Sequence, residues 1–146
     1  LDLLEKEGVG TMTFSPLGKG VLTDKYLNGI PSDSRAAGKS IFLNPNDINE
    51  ALIAKISKLN DIATSRNQTL AQMALAWNLR NPAVTSVLIG ASRSSQVQNS
   101  VEALNNLQLV EEVSQNMFLN YLVRILFKVC SINLKSSLFT FITQPP

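Results

Sequence analysis

Six apolar positions, Ile48, Leu52, Ile56, Leu59, Ile62 and Ala63, recur every three or four residues and predict a helix with one apolar face, running to Ser65. Asp47 with Glu50 resembles a capping box at its start. Thr69 with Gln72 is a second such pair, and it opens a helix over 70–80 that is apolar on most faces and is stopped by Asn81-Pro82. Ser95 and Gln98 predict the cap of a further helix, with Val97, Val101 and Leu104 as its inner stripe. Two runs have strand character. V-G-T-M-T-F-S over 9–15 alternates and ends at Pro16, which cannot donate to a ladder. V-T-S-V-L-I over 84–89 is a compact β-branched run suited to burial on both sides, and it ends at Gly90. Leu1, Leu4 and Gly8 fit the last turns of an apolar-faced helix with a glycine C-cap. Between Pro16 and Pro45 the glycines and prolines predict a long irregular loop, with one helical turn near 22–26. Loops of this length usually bind ligands or act as lids. Helix, strand, loop, helix, helix, strand, helix is the grammar of a parallel α/β fold.

Composition narrows what such a fold can do. A chain of 146 residues with 45% apolar and 16% charged side chains can bury a core, which excludes disorder over most of its length. It contains no histidine. That excludes Ser-His-Asp chemistry, Cys-His chemistry and His-rich metal sites within this polypeptide. The single cysteine, Cys130, rules out an intrachain disulfide framework and a cysteine-based zinc finger, and no metal site is expected. A net charge of +2 leaves no electrostatic footprint for nucleic acid. The first residues have no basic-then-apolar leader pattern, so nothing argues for secretion and a cytoplasmic place is expected.

The charge is unevenly spread. Residues 117–146 hold Arg124, Lys128 and Lys135 with no acid, and five of the nine aromatic residues. This separates a main body, 1–116, from a compositionally foreign apolar and basic tail, 117–146. Within the tail Asn120, Arg124, Lys128, Ser131 and Lys135 make a narrow polar stripe on an otherwise apolar helix. Cations interrupt every window of spanning length, which argues against a membrane span. Three readings stay open: a basic helix lying at a membrane surface, a helix packed on the body, and sequence foreign to the fold. Cys130, between apolar neighbours, reads as a packed thiol.

Two motifs can carry chemistry. Ser15-Pro16-Leu17-Gly18-Lys19-Gly20 follows the first strand, and is either a structural turn or a glycine-rich binding loop. Ile89-Gly90-Ala91-Ser92-Arg93-Ser94-Ser95-Gln96 follows the second and leads into a helix, so backbone N–H groups, hydroxyls and a guanidinium converge there. That is an anion site by construction, or else Ser94 and Ser95 merely cap the helix and Arg93 is solvated. Both motifs stand at the C-terminal ends of parallel strands, where α/β folds place ligands.

Read together, Ser15-Pro16-Leu17-x-x-Gly20-x-Leu22-Thr23-x-Lys25-Tyr26, Gly29-Ile30-Pro31-x-Asp33-Ser34-Arg35, Leu70-Ala71-Gln72-Met73-Ala74-x-x-Trp77 and Val87-x-Ile89-Gly90-Ala91-Ser92-Arg93-x-x-Gln96 resemble the C-terminal part of aldo-keto reductases. The nearer branch resembles the one that holds potassium-channel β-subunits and L-glyceraldehyde 3-phosphate reductases. Ala103-Leu104-Asn105-Asn106-Leu107 looks like the reductase side. The resemblance covers roughly residues 1–109.

It implies a (β/α)8 TIM barrel, of which this chain supplies the last two strands and their helices, and NADP(H) as cofactor. Ser15, Pro16, Leu17, Gly18 and Gly20 would line its nicotinamide-pyrophosphate side, and Lys25 and Arg35 match basic residues that clamp phosphates. Gly90, Ser92, Arg93 and Gln96 match the 2′-phosphate and adenine end. The chain departs from the family's pattern at Asn99-Ser100, where members typically carry Glu-Asn against the adenine and ribose, and Asn99 stands as a partial substitute. The family's catalytic Asp, Tyr, Lys and His come from earlier strands, so no catalytic residue is assigned here. Tyr26 matches a loop position and Tyr121 lies in the tail. The implied activity is reduction of a small-molecule aldehyde or ketone to an alcohol by the full-length parent. An NADPH-sensing channel-regulatory module and an inactive truncated product are the alternatives, and an oligomer fits the expected exposure of sheet edge and apolar helix surface.

Overall fold

The first helix, α1 (Asp2–Lys6), is short because its end is fixed by local geometry: Gly8 takes φ +67°, its N–H donates to the Glu5 carbonyl, and the Val9 N–H donates to the Leu4 carbonyl. This is a Schellman closure, as the glycine signal predicts. Val9 is consumed by that turn, so strand β1 (Thr11–Phe14) begins two residues later than its alternation suggests. The computed structural model describes residues 1–38 and 43–109. The expectations for the tail at 110–146, including Cys130 and Tyr121, lie outside the described residues.

Strand β1 pairs in parallel with β2 (Val84–Leu88), with Met12 beside Ser86, Thr13 beside Val87 and Phe14 beside Leu88. The ladder skips Thr85, because Thr11 pairs with Val84 and Met12 with Ser86. Thr11 anchors this irregular start by donating both its N–H and its hydroxyl to the Ala83 carbonyl. Opposite the bulge sits Gly10, where a Cβ would fall 2.3 Å from the Thr85 Oγ1 and 3.2 Å from its Cβ. Only a glycine lets the strands approach there.

Helices α2 (Glu50–Ser65) and α3 (Leu70–Leu79) lie between the strands in sequence. The cap of α2 differs from the expected Asp47/Glu50 pair. Asn49 is the N-cap, its Oδ1 accepting from the Leu52 N–H at 2.9 Å, while the Asp47 carboxylate accepts from the Asn44 N–H at 3.0 Å and closes a separate 3-10 turn, Pro45–Asp47. Pro45 opens that turn, and the competing short element pushes the helix start along by two residues. The capping box of α3 is as the sequence predicts: Thr69 accepts from the Gln72 N–H, and Gln72 Oε1 accepts from the Thr69 N–H at 2.8 Å. At the other end Arg80 lays its guanidinium 3.7 Å from the Trp77 ring centroid and donates to the Trp77 carbonyl at 2.7 Å. Desolvation there lowers its pKa from the ordinary arginine value.

The long loop is a packed part of the fold. Val21, Leu22, Tyr26, Ala36 and Leu43 are fully buried, and they form one cluster with Ile48, Ile56, Leu59 and Ala63 before and along α2 and with Leu70, Met73, Ala74 and Trp77 of α3. Two 3-10 turns, Gly18–Gly20 and Asp24–Tyr26, fold it, the second capped by Thr23. Ile48 precedes the Asn49 cap and Ile53 lies four residues after it, and both join this cluster in the positions of a hydrophobic staple.

Two burial expectations are overturned. Strand β2 is not buried on both sides: Thr85, Ser86 and Leu88 are exposed. In β1 Met12 and Phe14 are 64% and 65% exposed, and by register they share that open face with Ser86 and Leu88. One side of a two-stranded sheet is covered by helices, and no described residues stand over the other. Likewise Val97, Val101 and Leu104 of α4 (Ser94–Glu102) and the turn after it are not an inner stripe, since all three are exposed and α4 has no buried residue. The helix meets the body along a different, polar side.

Two outcomes test this description. Gly10→Ala should cost about 1–3 kcal/mol of unfolding free energy by overpacking, and adding Thr85→Ala should recover most of it, as read by urea unfolding. An unchanged midpoint for Gly10→Ala would contradict the close approach. The open apolar face should drive association at micromolar concentration, and Met12→Lys with Phe14→Lys should shift sedimentation velocity toward the monomer. A monomeric starting chain would refute that.

Candidate cofactor site

Parallel pairing places the two candidate loops side by side. Phe14 and Leu88 are register partners, so Ser15 and Ile89-Gly90 leave the sheet at the same end, the C-terminal ends of both strands. In the first loop the backbone is strained in one direction. Ser15 has φ +57°, Gly18 +53°, Lys19 +62° and Gly20 +94°, so four of six consecutive residues are left-handed and two of those carry side chains. At the two non-glycine positions, Ser15 and Lys19, this costs of order 1–3 kcal/mol each and persists where surrounding structure fixes it, characteristically at ligand clamps. Here the fixing contacts are turn hydrogen bonds from Gly18 to Ser15, Gly20 to Leu17 and Leu22 to Leu17, together with burial of Val21 and Leu22 just beyond.

Within this loop the predicted residues divide. Pro16 and Gly18 are buried and shape the loop; Ser15, Leu17 and Gly20 are half-buried at its surface. A Cβ at Gly20 or at Gly90 would meet nothing within 4 Å, so the backbone of both loops borders free space. Lys25 and Arg35 are held on the long loop, each exposed beside a buried neighbour, Tyr26 and Ala36. Their anchoring comes from the core; their ammonium and guanidinium groups are left to solvent.

The second loop is organised around one oxygen atom. Gln96 Oε1 accepts from the Ser92 N–H at 2.8 Å, the Ser92 hydroxyl at 3.2 Å and the Arg93 N–H at 3.3 Å. The expected Ser95/Gln98 cap is therefore replaced: the helix starts at Ser94 with Arg93 in the N-cap position, and Gln96 folds back over the turn. An arginine has no acceptor to cap with, so the glutamine three residues on does the work. Three donors thus converge on a single acceptor, one of them the backbone N–H of an arginine, at the positive end of a helix. This is the donor set a phosphate oxygen requires. Ser92 and Arg93 supply these donors and Gln96 the acceptor; Gly90 stands just before them, and all four are exposed.

Asn99 is placed differently from the others. Its Oδ1 accepts from the Thr69 hydroxyl at 3.2 Å, tying α4 to the start of α3, and the residue is half-buried. Two features escape the sequence reading. Phe14 stands exposed at the C-terminal end of β1, and counting the alternation from Met12 would have marked it. The link from Gln72 Nε2 to Glu102 Oε2 at 3.0 Å joins residues 30 apart in sequence, which no local pattern signals. Among the described residues no group of three or more Cys, Asp or Glu side chains is arranged to hold a metal, and no helix is long and apolar enough to cross a membrane.

L-glyceraldehyde 3-phosphate reductase of Escherichia coli strain K12 is 51% identical over 110 residues, which cover 73% of this chain and 32% of that protein. The L-glyceraldehyde 3-phosphate reductase of E. coli O157:H7 is 49% identical over 119 residues, 79% of this chain and 34% of the relative. A probable voltage-gated potassium channel subunit beta of Arabidopsis thaliana is 42% identical over 115 residues, 77% and 35%. The chain spans about a third of the length of these relatives. The model of the aldo/keto reductase family matches residues 1–117. This chain belongs to the aldo/keto reductase family.

Proposed function

We propose that this chain is the cofactor-gripping part of an NADPH-dependent aldo-keto reductase, acting within a (β/α)8 barrel to which it contributes the last two strands and their helices, in the cytoplasm. Residues 1–109 are the cofactor-binding part and 110–146 the divergent tail. The observation that carries the reading is the convergence of the Ser92 and Arg93 donors on one oxygen, which Gln96 now supplies.

When bound, NADPH supplies the hydride that reduces an aldehyde or ketone to an alcohol. What this chain's residues do is bind and orient. Arg93 offers a planar, permanently charged fork to a 2′-phosphate dianion, which selects NADPH over NADH. The Ser92 and Arg93 amides, with the Ser92 hydroxyl, take the phosphate oxygen for which Gln96 Oε1 stands in. The Ser15–Gly20 loop, opened to free space at Gly20, would hold the nicotinamide-pyrophosphate side, and Lys25 and Arg35 would supply positive charge to the phosphates. Asn99, tied to Thr69 through its Oδ1, would serve the adenine end. We assign the proton transfer to none of the described residues: the chain has no histidine, and Tyr26 is 1% exposed inside the core.

The reductases share 49–51% identity with this chain and the channel subunit 42%, which supports the reductase reading over a channel-regulatory one. The names of the two reductases state reduction of L-glyceraldehyde 3-phosphate, and a small carbonyl substrate of that class is the one we infer. The rest of the pocket lies in the two thirds of the relatives that this chain does not span.

Two measurements test the reading. By calorimetry the chain should bind 2′,5′-ADP about 10- to 100-fold tighter than 5′-ADP, the equivalent of charge-assisted hydrogen bonds worth about 1.5–3 kcal/mol, and Arg93→Ala should abolish the preference. Equal losses for the two nucleotides would remove the 2′-phosphate assignment. With glyceraldehyde 3-phosphate present, NADPH oxidation by the chain alone should match buffer, because the acid-base groups are not among its residues. Turnover above buffer would overturn that division of labour.

A further inference from the structure

Helix α4 carries the phosphate-gripping turn, yet it buries none of its own residues and turns its apolar side chains outward. Its attachment to the body is polar. Asn99 Oδ1 accepts from the Thr69 hydroxyl at 3.2 Å, and Glu102 Oε2 accepts from Gln72 Nε2 at 3.0 Å. Just beyond, Ala103 is 1% exposed, a side chain small enough for close approach. The seam continues past the helix. Gln68 Nε2 donates to the Asn106 carbonyl at 3.0 Å, and Arg66 Nη2 donates to the Gln108 carbonyl at 2.8 Å and to Asn106 Oδ1 at 3.3 Å.

Thr69 and Gln72 are also the capping box of α3, and this makes the attachment directional. Gln72 Oε1 is committed to the Thr69 N–H, so the amide has one orientation and its NH2 faces Glu102. Gln72 is 7% exposed, and a buried amide that loses a partner is costly. On α4, Gln96, Asn99 and Glu102 follow at three-residue spacing, so they share a side of the helix. Holding Asn99 and Glu102 therefore sets the rotation of the residue whose carbonyl organises Ser92 and Arg93.

We propose that Thr69 and Gln72 are positioning residues for the phosphate grip: the cap of one helix fixes the rotation and depth of the next, and so the aim of the Ser92–Arg93–Gln96 turn. This rests on the phosphate reading of that turn given above. It assigns to the Thr69–Gln72 pair a role that neither helix capping nor ligand contact provides.

The test exchanges donor and acceptor without touching the turn. Gln72→Glu keeps an oxygen for the Thr69 N–H but sets carboxylate against carboxylate at Glu102; adding Glu102→Gln restores the hydrogen bond with its polarity reversed. Hydrogen exchange by mass spectrometry is followed on peptides spanning 70–79 and 94–109 of the 146-residue chain, with 2′,5′-ADP affinity measured alongside. In Gln72→Glu the 94–109 peptide should exchange roughly tenfold faster and 2′,5′-ADP should bind roughly tenfold more weakly, with 70–79 unchanged. The double variant should return both within about twofold of the starting chain. A single variant that leaves exchange and affinity unaltered, or a double variant as impaired as the single, overturns the proposal. Failure of the starting chain to bind 2′,5′-ADP overturns the phosphate reading and the positioning role with it, and is recognised separately because the exchange of 94–109 still reports whether the clasp holds α4.

Discussion

Burial of Val21, Leu22, Tyr26, Ala36 and Leu43 against the apolar sides of α2 and α3 is the interaction on which the other features depend. Each fully buried Val or Leu of this kind contributes about 1.5–3 kcal/mol. A two-stranded sheet could not hold the two candidate loops by itself, since such a pair is marginal in water. The core is therefore loop on helix, with the sheet at its margin. That arrangement lets a glycine-rich loop carry left-handed backbone at Ser15 and Lys19, because the residues immediately following it are locked inside.

The two ends of the site are secured by different physics. Around Ser15 to Gly20 the geometry is imposed by apolar burial next door. Around Ser92 to Gln96 it is imposed by hydrogen bonds, within the turn through Gln96 and at a distance through Asn99 and Glu102. Apolar packing holds position without direction, whereas a hydrogen-bonded seam also fixes rotation. A turn that must aim three donors at one oxygen needs the second. The outward apolar residues of α4, with Met12, Phe14 and Leu88 on the sheet, are left uncovered by the described residues.

Much of this was legible locally. The Gly8 closure, the Thr69/Gln72 box, the core stripe of α2 and both strand positions follow from spacing and residue type. The failures share a cause. Asp47 and Glu50 have the spacing of a cap, but Pro45 and Asn44 claim Asp47 for an earlier turn. Ser95 and Gln98 have it too, but Gln96 reaches the loop amides first. Local patterns name candidates, and which candidate wins is settled by competition for the same few N–H groups.

By itself the sequence determined the element types, the parallel α/β grammar, the family, and the absence of any histidine for acid-base work, because these depend on residue identity and short-range spacing. Only the tertiary structure decided which faces are covered. β-branched residues at 84–88 prefer a strand whatever lies beside them, but burial requires a partner, and the described chain covers one side alone. It also decided that the long loop is core, and that Gln72 serves two helices at once. Both are contacts between residues distant in sequence, where side-chain reach and direction in three dimensions are the determining quantities.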